Sequence, residues 1–294
     1  MNKPKLKVVI LVYTEADFYY LIPSPHFKKL DLAKWYLNGL RGRIYRYPNP
    51  SRKGFINLTE SFKKHNQKAL FCLVGHLFLK ECKGFPHFNE SKPEHSWYNN
   101  KIGKDWYSWD KGGNFKTRPG LYLGDLVEKE KNNPLFEFGL HAFSHEALTL
   151  ESRKVVDSII SSGVKAAKSV GITIKSFAAP FELTEDISDP DNIYSSLRKN
   201  KIKRVFYAGQ DDSLIIKRHL SVSKPIKDNG LEKIRISNSF EGTSSKKKIV
   251  DVMKDIQKNK DKDALYCLIT HDFTHKNNKN AEKILSFLKR EGFS

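Results

Sequence analysis

Short apolar runs rich in β-branched and aromatic residues recur along this chain, separated by amphipathic stretches, and that alternation limits the folds open to it. The runs occupy residues 6–13, 69–74, 135–138, 172–177, 204–208 and 264–270, with the length and composition of strands. Between residues 151 and 170, Val155, Val156, Ile159, Ile160, Val164, Ala167 and Val170 fall on one helical face, and Gly171 supplies a stop. Residues 192–199 and 281–290 are two further expected helices. Strand–helix alternation predicts an α/β protein with a parallel sheet, open or closed. In either form the reactive residues collect at the carboxyl ends of the strands.

The 294 residues suit one large domain, residues 1–294, carrying an insertion at about 83–120. Hydrophobic residues make up 39% of the chain, enough for a substantial core and too many for a disordered segment. The insertion holds Trp97, Trp106, Tyr107 and Trp109. Long loops of this kind serve as lids or binding loops, and indole rings offer platforms for sugar faces or simply pack over the sheet. Cys72, Cys82 and Cys267 are odd in number and form no CxxC pair, so no disulfide framework is expected. The apolar run after the basic start meets Glu15 and Asp17 at once, which fits neither a signal-peptide core nor a membrane span. A cytoplasmic protein is expected, in peripheral contact with a membrane at most. The net charge of +19 draws the chain toward polyanions, but the lysines are dispersed and no nucleic-acid module is present.

His141 and His145 follow the strand-like Phe136-Glu137-Phe138-Gly139, four residues apart. A helical turn would place both imidazoles on one face, although two hydrogen-bonded loop histidines would give the same spacing. Glu15 and Asp17 close the first strand and His271 closes the last, where α/β proteins build their chemistry. Two neutral imidazoles and one carboxylate suit zinc, leave positions for water and substrate, and allow a bound water to ionise near neutral pH.

Strand-end acids, a His-x-x-x-His box and a late Leu-x-x-His box, in this order, resemble the motifs of the polysaccharide deacetylases of the NodB-homology (carbohydrate esterase) class. Further stretches are similar to one branch of that family: Ala69 to Leu79, Leu123-Gly124-Asp125-Leu126-Val127, and Glu137 to His145. The resemblance spans roughly residues 6 to 275 and implies an irregular (β/α) barrel of the glycoside hydrolase/deacetylase type. It also implies a divalent metal, zinc above all, and hydrolysis of an N-acyl group on an amino sugar carried by lipid, nucleotide or polymer. Carried over residue by residue, it gives Asp17, His141 and His145 as metal ligands, Glu15 as general base and His271 as general acid; Glu15 and Asp17 could exchange roles. Pro180 and Phe181, with Trp106 and Trp109, would line the substrate, and the Phe181 backbone N–H would hold the oxyanion.

Two departures bear on activity. The acids are spaced Glu15-Ala16-Asp17 instead of being adjacent, and the box that usually carries an arginine beside the base reads Ser176-Phe177-Ala178-Ala179-Pro180-Phe181-Glu182. Without that arginine the base loses a partner that lowers its pKa, unless Arg204 or a lysine takes its place. The alternative is therefore an impaired deacetylase-like barrel that binds a saccharide or a protein partner. His26, His65, His87, His95 and His219 are read as surface or packing residues, and His76 as a structural hydrogen-bonding residue facing the cavity. Asp272 and His275 either orient His271 or cap the next helix. A glycosidase using Glu15 and Glu182 would leave the two histidines without a purpose.

Overall fold

The structure is a computed structural model that describes residues 5–18, 50–92, 110–182, 191–210, 216–217 and 222–293. In chain order its elements are β1 (Lys7–Thr14), α1 (Pro50–His65), β2 (Ala69–Leu73), β3 (Glu81–Cys82), β4 (Gly113–Asn114), α2 (Gly124–Glu130), β5 (Phe136–Leu140), α3 (Arg153–Ser169), β6 (Ser176–Ala178), α4 (Asp191–Lys199), β7 (Arg204–Tyr207), β8 (Gly209–Gln210), β9 (Ile216–Lys217), β10 (Ile226–Asp228), β11 (Leu231–Arg235), β12 (Asn238–Ser239), α5 (Lys246–Lys258), β13 (Leu265–His271) and α6 (Lys279–Arg290). Each of the six expected strands and three expected helices is present with shifted ends.

Nine strands form one sheet in the order β10-β11-β7-β6-β5-β2-β1-β13-β12. Every pairing in it is parallel except that of β10 with β11. Strands of a parallel sheet are covered on both faces, which explains the near-continuous apolar runs. In β1, Ile10 and Val12 point into the core shared with the helices, while Leu11 and Tyr13 point to the other face. Phe55, Leu58 and Phe62 of α1, Val156 and Ile160 of α3, and Ile249, Val252 and Ile256 of α5 fill the helix side at helical spacing. The other face makes a smaller core of its own, in which Leu11, Cys72, Phe206, Ile236 and Cys267 cluster.

That smaller core joins side chains from both flanks, so the sheet curls. β11 ends at Arg235 beside β7 and β12 begins at Asn238 beside β13. Between them the Ile236 N–H donates to Tyr207 O and the Ser237 N–H to Cys267 O, both at 2.8 Å, so one segment touches both flanks. Among the described residues no ladder closes the order into a full cylinder, and the barrel expectation is met only as an α/β fold with a curled, mostly parallel sheet. Of the insertion, Trp97, Trp106, Tyr107 and Trp109 lie outside the described residues. Cys72 and Cys267 are buried free thiols, as strand interiors imply. No helix among the described residues is long and apolar enough to cross a membrane.

Candidate active site

The carboxyl ends of β1, β13 and β5 converge. β1 pairs with β13, setting Tyr13 opposite His271, and with β2, which leads to β5. After β5 the His141 N–H donates to Leu73 O at 2.7 Å. The segment that follows is a turn, not the helix on which a shared face would depend; left-handed Ala142 (φ 55°) and His145 (φ 61°) bring the two rings to one centre instead. Their backbone is pinned from outside, because the Gly75 N–H donates to Ala142 O at 2.6 Å and the His76 N–H to Phe143 O at 3.0 Å. Gly75 permits this approach: a Cβ there would lie 2.8 Å from Gly163 Cα and 3.0 Å from Phe143 Cα.

At the centre stands Glu15. Its Oε1 lies 3.3 Å from His145 Nε2, 3.5 Å from His141 Nε2 and 3.5 Å from His271 Nε2. Glu15, His141 and His145 each offer one donor atom within 4.8 Å of the others. Asp17 does not belong to this group. Ala16 adopts φ 49°, the chain turns, and the Asp17 N–H is drawn to Gly120 O at 3.1 Å. The acid that the structure sets among the histidines is thus Glu15, the residue expected as base, and not Asp17, the residue expected as ligand. Asp272 fixes the turn from below, its Oδ1 accepting the N–H groups of Glu15 at 3.1 Å and Ala16 at 3.3 Å.

Burial would raise the Glu15 pKa, but the charges of His145 and His271 and the close approach of the His141 and His145 rings outweigh it and hold the carboxyl well below its ordinary range. Desolvation acts the other way on His141, whose pKa is lowered, favouring the neutral ring that a metal requires. His141 Nδ1 lies 2.8 Å from Ala178 O. A carbonyl can only accept, so Nδ1 carries the proton and Nε2 presents its lone pair to the centre. The Nε2 atoms of His141 and His145 are buried with no hydrogen-bond partner among the described residues. Orphaned imidazole nitrogens around an ionised carboxylate fit a divalent metal of the zinc type.

His271 stands at the edge of the cluster, outside the three-donor group. Its Nδ1 bonds Glu241 Oε1 at 2.8 Å, and its backbone N–H donates to Glu241 Oε2 at 3.1 Å. Burial pushes the Glu241 carboxyl up, yet the His271 charge and hydrogen bonds bring it below its ordinary value, so the ring donates from Nδ1 and turns Nε2 inward. Glu241 was not foreseen from the sequence. It follows the two-residue strand β12, and the one available signal was a lone acid after Ser-Asn-Ser-Phe, five residues before an apolar helical repeat. His275 lies below, its Nε2 2.7 Å from the Thr270 hydroxyl, and burial lowers its pKa to about 4.

Pro180 is followed by Phe181 in a left-handed conformation (φ 57°), and the Phe181 ring meets the His145 ring edge-on at 4.7 Å. Phe181 therefore borders the cluster, with Pro180 next to it in the chain, whereas Trp106 and Trp109 lie outside the described residues. Arg204 does not replace the missing arginine. It starts β7 and pairs with Glu137 near the start of β5, at the amino ends of strands whose carboxyl ends carry the site. Imidazoles stand around Glu15 where that arginine would.

The chain matches no protein-family model and no curated protein sequence. Its structure resembles that of a Mycobacterium smegmatis protein provisionally assigned as a polysaccharide deacetylase, with a TM-score of 0.59 at 13% identity, covering 98% of this chain and 84% of that one. A family 4 carbohydrate esterase from Streptomyces lividans in complex with acetate gives a TM-score of 0.47 at 10% identity, covering 98% and 90%. A pseudoenzyme of the same esterase family from Bacillus anthracis gives 0.48 at 11%, covering 100% and 63%. The chain shares the fold of that M. smegmatis protein.

Proposed function

We propose that this protein is a metal-dependent hydrolase that removes an acyl group, acetyl in the simplest case, from the nitrogen of an amino sugar in a polysaccharide or glycoconjugate. The observation that carries the reading is the convergence of three imidazoles on one carboxylate oxygen, Glu15 Oε1, at the carboxyl end of the sheet. In this reading Glu15, His141 and His145 hold the metal. Bound there, a zinc-type ion supplies a Lewis acid that polarises the acyl carbonyl and makes water more acidic.

The proton work falls to His271. With Nδ1 held by Glu241, its Nε2 takes a proton from the attacking water and later returns it to the leaving nitrogen, and the Glu241 carboxylate stabilises the imidazolium between the two steps. Water oxygen bonds to the acyl carbon, the carbon–nitrogen bond breaks, and a carboxylate and a free amine leave. This assignment moves Glu15 from base to ligand and gives Asp17 no role at the metal. Phe181 closes one side against His145, and its backbone N–H is the proposed oxyanion donor.

Acetate release from acetylated chito-oligosaccharides, with and without chelator, tests the reading beside the metal content of Glu15→Gln. Chelator-sensitive release in the parent protein, with metal and release both lost in the variant, is expected. Release that survives chelation would refute metal dependence, and a Glu15→Gln variant that keeps its metal but not its activity would return Glu15 to the role of base.

A further inference from the structure

A second cluster of donors lies behind the first. We propose that His76, Cys82, His87 and Asp110 form a separate, structural zinc-type centre that pins residues 82–90 and Asp110 against the turn carrying His141 and His145. The donor atoms of the four residues all lie within 4.8 Å of one another. His76 Nε2 is 3.7 Å from Cys82 Sγ and 3.6 Å from Asp110 Oδ2, and Cys82 Sγ is 3.9 Å from Asp110 Oδ2. Tetrahedral zinc with ordinary bonds to nitrogen, oxygen and sulfur needs donor separations of about 3.3–3.6 Å. His87 Nε2 stands at 2.7 Å from Asp110 Oδ2, a hydrogen bond that has to open by less than about 1 Å to complete the tetrahedron.

The outward atoms of these groups are already engaged, which is how ligands are aimed. His76 Nδ1 bonds Leu121 O at 2.8 Å, and His87 Nδ1 bonds Glu90 Oε1 at 2.6 Å. Asp110 Oδ1 accepts the Gly112 N–H at 3.0 Å, and Cys82 Sγ accepts the Gly84 N–H at 3.3 Å. Both rings therefore present Nε2 inward and Asp110 presents Oδ2. As metal ligands, two neutral imidazoles, a thiolate and a carboxylate would carry two negative charges, which a divalent cation neutralises. The set is protein-complete, as structural zinc sites are.

The position gives the centre its purpose. Cys82 pairs with Gly113 across the β3–β4 ladder, so the metal would tie that ladder to the 3-10 turn Gly75–Phe78 after β2. Phe143, between the two active-site histidines, packs against the His76 ring at 5.9 Å and the His87 ring at 5.1 Å.

Sulfur separates the two centres experimentally, since only the second has a thiol among its donors. After cobalt replacement, a thiolate-to-cobalt charge-transfer absorption is expected in the parent protein and in His141→Ala, and is expected to vanish in Cys82→Ala. Metal content should fall from about two ions per chain to about one in either variant. If Cys82→Ala fails to fold, zinc X-ray absorption of the parent and of His141→Ala replaces it, with a sulfur scatterer expected at about 2.3 Å. Absence of sulfur from the zinc shell in His141→Ala, or a cobalt protein without the charge-transfer band, would overturn the proposal. Either result leaves the Glu15 centre untouched.

Discussion

The two histidine clusters use the same imidazole chemistry and differ in what they leave open. Around Glu15 there are three donors, and the neighbouring His271 and Glu241 side chains are 16% and 21% exposed. Around Asp110 there are four donors, with the His76 and Asp110 side chains fully enclosed and His87 1% exposed. Three donors beside a solvent-facing acid–base pair leave room for a substrate, whereas four donors including a thiol fill a tetrahedron. Donor count and access, more than residue type, separate a centre suited to chemistry from one suited to holding a loop.

The largest expected effect breaks one centre and spares the other. His141→Ala should lose the metal at Glu15 and slow deacylation by on the order of 10³-fold or more while the cobalt–thiolate absorption persists. His271→Gln should keep its full metal content and lose on the order of 10²–10⁴-fold in kcat; loss of metal in that variant would place His271 among the ligands.

Acid should separate the two regions next. His275 lies under the His271–Glu241 pair with a pKa of about 4 in the folded protein, against about 6.5 in an unfolded chain. Between these values the unfolded state binds more protons, so stability falls as pH drops from about 6.5 to about 4, by roughly 3 kcal/mol in all. His275→Gln should flatten that slope in pH-dependent denaturant unfolding, and an unchanged slope would exclude His275 as its source.

Gly75→Ala tests whether the centres are mechanically joined. Its Cβ would crowd Gly163 and Phe143, costing about 1–3 kcal/mol, and both centres should release metal at lower temperature. Release from only one would show that the shared backbone does not couple them. The smallest effect lies away from both. Lys64 and His65 hold Glu282 despite some burial, so that its pKa drops to about 2, and its contribution is present above about pH 4.5 and lost as pH falls toward 2. Glu282→Gln at neutral pH should cost no more than about 0.5 kcal/mol, less in high salt, by thermal unfolding.

What could be read from the sequence follows from where polar residues interrupt apolar runs. Glu15, His141, His145 and His271 were legible because each ends or follows a run that can only be a strand, and strand ends meet. The choice between Glu15 and Asp17 was not, since it hangs on the left-handed turn at Ala16. The helix α5 carries its core residues at Ile249, Val252 and Ile256 amid lysines that dilute the pattern, and α1 opens with a proline and a basic turn. Strands β10 to β12 are short and mostly polar, which hid Glu241. The second cluster was illegible for another reason: its donors sit at positions 76, 82, 87 and 110, a spacing that no local element generates. His87, read as a surface or packing residue, has its side chain enclosed between Glu90 and Asp110.

His271 ends β13, the last of these strands in chain order, and Glu15 follows β1, the first, which lies beside it with Tyr13 opposite His271. The four donors of the second cluster, by contrast, all lie between residues 76 and 110. The second cluster closes over a short stretch of sequence, while the acid–base pair meets Glu15 only once segments far apart in the chain have paired. A fragment cut between residues 121 and 241 would retain every donor of the second cluster and lose both members of the acid–base pair.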